Sequence, residues 1–237
     1  MRRYSERTAL GRKRGRYSFT TLILCLNVIV FFISSVIFLV LGISGDEARV
    51  SRFVSFVSLN PELVINGHIW TILTSMFVHF SFGHLLVNMI SLFFVGSFVE
   101  RIIGKKRYLW FYLISGVVAG LFFVGFAYIG TFFPNGRSLF GGIDDYGVGA
   151  SGAIFGLGGL LAVLLPRLRV LVFFIIPMPM WAAMVVLLFG MWILSAFGGL
   201  PVGNTAHLGG LIVGLIYGIY LRAKYARKIA FLNRMFR

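Results

Sequence analysis

Six long apolar stretches, separated by short polar or basic segments, organise the chain: about 18–41, 76–100, 108–129, 149–165, 170–196 and 206–221. Most reach the roughly 20 residues that a helix needs to cross a hydrocarbon core of about 30 Å. A backbone in lipid must satisfy its own polar groups, so each stretch is predicted to be helical. The first follows a basic stretch. Its apolar run is too long for a signal-peptide core and lacks a cleavage site, so it reads as a retained span. The pattern predicts an all-α, polytopic membrane protein. A six-span membrane domain at 18–221 lies between a basic N-terminal tail, 1–17, and a basic C-terminal tail, 222–237. The connection 42–75 mixes apolar and polar positions, with Phe53, Phe56, Val57 and Trp70, and is expected to lie partly on the membrane surface. The connection 131–149 is rich in glycine and turn formers, and Gly147 within it reads as loop flexibility.

Composition agrees with lipid as the solvent. The 237 residues are 59% hydrophobic and 12% charged, with mean hydropathy +0.93, against about 25% charged in soluble domains. A net charge of +15 would point to nucleic acid in a soluble protein, but the placement of the charges excludes it here. Of 22 Lys and Arg, seven precede the first span, four lie in "RIIGKKR", two in "PRLR" and six follow the last span. Nineteen thus fall on one side, leaving Arg49, Arg52 and Arg137 on the other. Positive charge marks the cytoplasmic face, which puts both termini inside and implies contact with anionic lipid. Asp46, Glu47, Glu62, Asp144 and Asp145 fall in the outer loops. The single cysteine, Cys25, excludes an intramolecular disulfide and reads as core packing.

The stretch "GVGASGAIFG", 147–156, holds the candidate chemistry. Gly147, Gly149 and Gly152 fit G-x-G-x-x-G, but no strand precedes them and no acid follows about 20 residues on, so dinucleotide binding is excluded. Ala153 breaks the G-x-S-x-G elbow. Depth gives Ser151 another meaning. It lies 15 residues before Pro166 at the inner end of its span, or about 22 Å up at 1.5 Å per residue. His207 lies 15 residues before Arg222, at the same height. His84 and Asn88, 16 and 12 residues above Glu100, bracket that level and share one helix face. Gly149, Gly152, Gly156 and Gly159 form one stripe of small residues; Ala206, Gly210, Gly214 and Gly218 form another. Such stripes bring membrane helices close, so the fourth and sixth spans are expected to pair and to put Ser151 within hydrogen-bond reach of His207. Histidine at membrane depth is functional by default. His68 and His79 lie nearer the outer loop and read as structural. No H-E-x-x-H occurs and no aspartate lies within a span, so neither a metal site nor a two-aspartate protease is expected.

These residues resemble the rhomboid family of intramembrane serine proteases. "GASG" at 149–152 matches the serine motif, "AHLGG" at 206–210 the histidine motif, and "HFSFGHLLVN" at 79–88 the H-x-x-x-x-H-x-x-x-N run. "FVERIIGKKR" and the six-span order fit as well. One departure is Trp70-Thr71, where the family often has Trp-Arg in the first outer loop. The resemblance implies a rhomboid-like six-helix bundle and a Ser–His dyad, with Ser151 as nucleophile and His207 as general base and then acid. His84, the Asn88 amide and the Ser151 N–H would stabilise the oxyanion, supported by Gly149 and Gly152. His79 stays outside the catalytic set. The resemblance implies no cofactor. It further implies single-span transmembrane substrates, a small residue before the scissile bond, and a lateral gate formed by the fifth span, with Pro177 and Pro179 near its inner start and Gly198-Gly199 at its outer end. A prokaryotic cell membrane is expected, with the site opening outward. The alternative is a non-proteolytic relative that binds membrane helices; such relatives usually lack the serine or the histidine.

Overall fold

The computed structural model describes residues 17–173, 175–198 and 203–235. The basic residues Arg2 to Arg16, Gly199 and Arg237 lie outside the described residues. The chain runs through α1 (Phe19–Ile43), then three short helices in the connection that follows it: α2 (Glu47–Val57), α3 (Pro61–Ile65) and α4 (Thr71–Thr74). The second span comprises α5 (Phe82–Ser91) and α6 (Ser97–Ile103), joined by a π-helical turn at Leu92–Gly96. Then follow α7 (Lys105–Gly130), α8 (Gly136–Phe140) and α9 (Ser151–Leu164). A hairpin of β1 (Arg169–Val172) and β2 (Ile176–Pro179) precedes α10 (Met180–Gly198), α11 (Asn204–Lys224) and α12 (Ala226–Arg234).

Among the described residues, five helices are long and apolar enough to cross a membrane: α1, the α5–α6 unit, α7, α10 and α11. The fourth expected span, α9, has 14 residues, or about 21 Å of helix. It is also the most enclosed of these helices: Gly152, Ala153 and every residue from Phe155 to Leu161 are buried. Against it lie α7 and α11. Glycine makes that approach possible, because a Cβ added at Gly210 would run into the Gly152 carbonyl and one at Gly214 into the Gly156 carbonyl. The two predicted stripes therefore meet face to face.

The fifth span begins ten residues later than the apolar pattern implied. In place of helix, β1 and β2 pair antiparallel, Val170 opposite Met178 and Val172 opposite Ile176. Hydropathy cannot separate a helix from a short apolar strand. Proline decides the matter, since Pro177 and Pro179 lack N–H groups and disfavour helix in the residues before them. Val170, Val172, Ile175 and Ile176 add β-branched bulk that suits a strand.

At the opposite end from Ser151, Glu100 ties the second span to the first. Its carboxylate accepts hydrogen bonds from Ser18 Oγ at 2.5 Å, Thr20 Oγ1 at 2.7 Å, and the Phe19 and Thr20 N–H groups at 3.0 Å. The first N–H groups of α1 would otherwise lack partners, and an anion is favoured at a helix N-terminus. At the other end of the molecule, Arg137 bridges Asp144 and Asp145 at 2.6 and 2.7 Å. That exposed guanidinium holds the Asp144 carboxyl below its ordinary pKa.

Candidate active site

Ser151 is the first residue of α9, and His207 stands in the first turn of α11. Because Gly152 and Gly210 let these two helix starts touch, His207 Nε2 lies 2.8 Å from Ser151 Oγ. Depth counting and the glycine stripes both pointed to this pairing. His207 is 5% exposed, and its ring stacks on Phe155 with centroids 4.3 Å apart and planes 13° apart. Nδ1 has no hydrogen-bond partner among the described residues. If Ser151 donates to Nε2, the proton of the neutral ring must sit on Nδ1, so stacking, not a carboxylate, fixes the ring. Phe155 was not singled out by sequence, although it lies one helical turn beyond Ser151 on the same face.

The approach to Ser151 is built from glycine and the second span. Gly149 has φ +110°, a region that L side chains rarely adopt, and its N–H donates to the Ser75 carbonyl at 3.0 Å. A Cβ there would stand 2.6 Å from His84 Cε1 and 2.8 Å from Nε2. The His84 ring therefore lies directly over the backbone that leads into Ser151. Ser81 caps α5 by accepting from the His84 N–H at 3.2 Å, which sets the level of that ring. Asn88 lies one turn further along and is buried; its Nδ2 donates to the His84 carbonyl at 2.9 Å. One amide hydrogen of Asn88 is thus committed to its own helix, and the second remains for another acceptor. His79 is 1% exposed, with neither ring nitrogen hydrogen-bonded among the described residues, and meets His84 edge-on at 4.9 Å between centroids.

Gly147 is not the free hinge expected of it. Its N–H donates to the Leu59 carbonyl at 2.7 Å and its carbonyl accepts from the Leu59 N–H at 2.9 Å. The connection after α1 therefore pins the loop that delivers Ser151. Non-local bridges of this kind leave no periodic signal in sequence. Where an arginine was expected, Thr71 is fully buried and donates its hydroxyl to the His68 carbonyl at 2.6 Å. Trp70 stacks on His68 at 4.7 Å and donates Nε1–H to the Phe56 carbonyl at 3.0 Å. The connection is anchored without the arginine.

A serine hydroxyl against a buried imidazole, at a helix start whose first N–H groups have no intrahelical acceptor, can attack a carbonyl and receive the resulting oxyanion. Comparison with known proteins meets this geometry. The family model described as Rhomboid domain matches residues 66–224, which include all six candidate site residues. The chain is 30% identical over 203 residues to Rhomboid protease GluP of Bacillus subtilis, covering 85% of this chain and 34% of that protein. It is 29% identical over 229 residues to Rhomboid protease AarA of Providencia stuartii, covering 92% and 80% respectively. RHOMBOID-like protein 12, mitochondrial, of Arabidopsis thaliana is 31% identical over 193 residues, with 75% and 56% covered. The chain thus spans about a third of GluP and about half of the Arabidopsis protein. With a family match across most of its membrane-embedded length, this chain belongs to the rhomboid family.

Proposed function

We propose that the protein is an intramembrane serine endopeptidase that cleaves single-span membrane proteins by a Ser151–His207 dyad. The observation that carries this reading is the 2.8 Å contact between His207 Nε2 and Ser151 Oγ at a buried helix junction. Ser151 Oγ attacks the scissile carbonyl while His207 Nε2 takes its proton; the same imidazolium then protonates the leaving amine. Water, activated by His207, hydrolyses the acyl-enzyme. The tetrahedral oxyanion is received by the Ser151 N–H, the free hydrogen of the Asn88 amide, and His84 above Gly149. Gly149 keeps side-chain bulk away from that approach, and Gly152 lets α11 bring His207 in. Both termini face the cytoplasm and the site opens to the outer side, a reading supported by the nineteen-to-three bias of basic residues. The substrate helix enters beside α10, unwinds at its outer end and presents a small residue before the scissile bond.

The test is cleavage of a model single-span substrate by protein reconstituted in vesicles. Ser151→Ala and His207→Ala are expected to lower turnover by at least about 10³-fold. His84→Ala and Asn88→Ala should each lower it by about 10²–10³-fold while the fold is kept. Equal cleavage by the wild type, Ser151→Ala and His207→Ala would remove the dyad.

A further inference from the structure

The β1–β2 hairpin presents an apolar outer surface that the proposed chemistry does not use. Its inward positions alternate as a strand should: Leu168 and Val170 pack on the core and Val172 is 3% exposed. The opposite face carries Leu171, 58% exposed, and the turn and second strand add Phe173, Ile175 and Ile176 at 56%, 79% and 49%. Stable proteins rarely leave such a contiguous patch in water. Its base is tied to the ends of two membrane helices: the Met180 N–H donates to the Leu168 carbonyl at 2.8 Å, and the Trp181 N–H to the Pro166 carbonyl at 3.4 Å. From there the apolar surface continues without interruption along α10 through Trp181, Val185 and Phe189, each about half exposed. In a membrane protein, that stripe is the face that meets lipid.

We propose that the hairpin is an interfacial anchor: Leu171, Phe173, Ile175 and Ile176 sit in the leaflet on the basic side of the membrane, with Arg167 and Arg169 among the headgroups. Charge fits an anionic lipid surface, since no Asp or Glu occurs after Asp145 and both arginines are exposed. Strand chemistry fits lipid better than a second chain. Pro177 and Pro179 cannot donate, so they occupy the positions opposite Leu171 and Arg169 where no ladder bond forms. Their missing N–H groups would have pointed to the open edge of β2, which leaves that edge poor in donors for an added strand. The depth is set by what remains. Open strand edges are not tolerated in the hydrocarbon interior, so the hairpin lies at the headgroup–acyl boundary, about 5–10 Å in. This inference needs only a membrane protein and is independent of the protease reading.

The experiment uses the full chain with Cys25→Ala and Ile175→Cys, labelled with an environment-sensitive fluorophore in phosphatidylcholine–phosphatidylglycerol vesicles. Position 175 is exposed, so the label displaces no packing; Val185→Cys reports the lipid face of α10. Phospholipid brominated high on the acyl chain is expected to cut emission at 175 by about two-fold, bromines near the chain end less, and aqueous iodide little. Strong iodide quenching without bromolipid quenching would place the hairpin in water and overturn the proposal. Protection from both quenchers would show a protein covering it, a second copy included, and would overturn it equally.

Discussion

Gly149 is the residue on which most of the proposed chemistry depends. Two independent constraints exclude a side chain there: φ of +110° and the His84 ring, 2.6 Å from where a Cβ would stand. Gly149→Ala is therefore expected to reduce turnover more than stability, because the atoms that a Cβ would meet belong to the His84 side chain, which can shift, while the Ser151 approach narrows. A fall of about 10²-fold or more in turnover, with a melting temperature within a few degrees of wild type, would agree; unchanged turnover would not. Sequence singled out Ser151, His207, His84 and Asn88 as candidates, because polar residues are rare in apolar spans and their heights could be counted. It could not show that Asn88 gives one amide hydrogen to the His84 carbonyl, nor that Phe155 holds the imidazole plane. Those depend on rotamers and on ring orientation across two helices, which spacing alone does not encode.

Among the elements, α9 and α11 form the rigid pair, and the link from α1 to α6 is the polar joint on the opposite side of the membrane. Glycine stripes recurring every three or four residues announced the first. Glu100 was visible only as a boundary charge, since the helix it caps lies about 80 residues earlier in sequence. A local cap announces itself by spacing; a cap from another span does not. Glu100→Gln keeps the shape but can no longer accept with both oxygens, so the hydroxyls and N–H groups at the start of α1 lose partners. The expected loss is about 1–3 kcal/mol, read as a lower unfolding midpoint in detergent, whereas Glu62→Gln on the exposed first turn of α3 should change little. Equal midpoints for the two variants would contradict the capping role. The hairpin before α10 was illegible for another reason: ten apolar residues satisfy the hydropathy of a span whether extended or helical, and only the two prolines distinguish the cases.

For the molecule as a whole, composition and apolar periodicity were enough to read an all-α membrane protein, because lipid permits few backbone solutions. They marked the serine-bearing span as short, about 17 residues, but did not reveal that its helix has only 14 residues and is buried along most of its length. The proposed orientation rests on charge: a cysteine at Asn135 should react with an impermeant maleimide on intact cells, and one at Arg227 on α12 only after lysis. The reverse pattern would invert the topology. The central claim is that Ser151 is the nucleophile and that His207 activates it. It is tested most directly by treating the reconstituted protein with a fluorophosphonate and locating the adduct by peptide mass spectrometry. The account predicts one adduct, on Ser151, absent from Ser151→Ala and formed far more slowly in His207→Ala. Labelling that persists in Ser151→Ala, or an adduct on another residue, would contradict it.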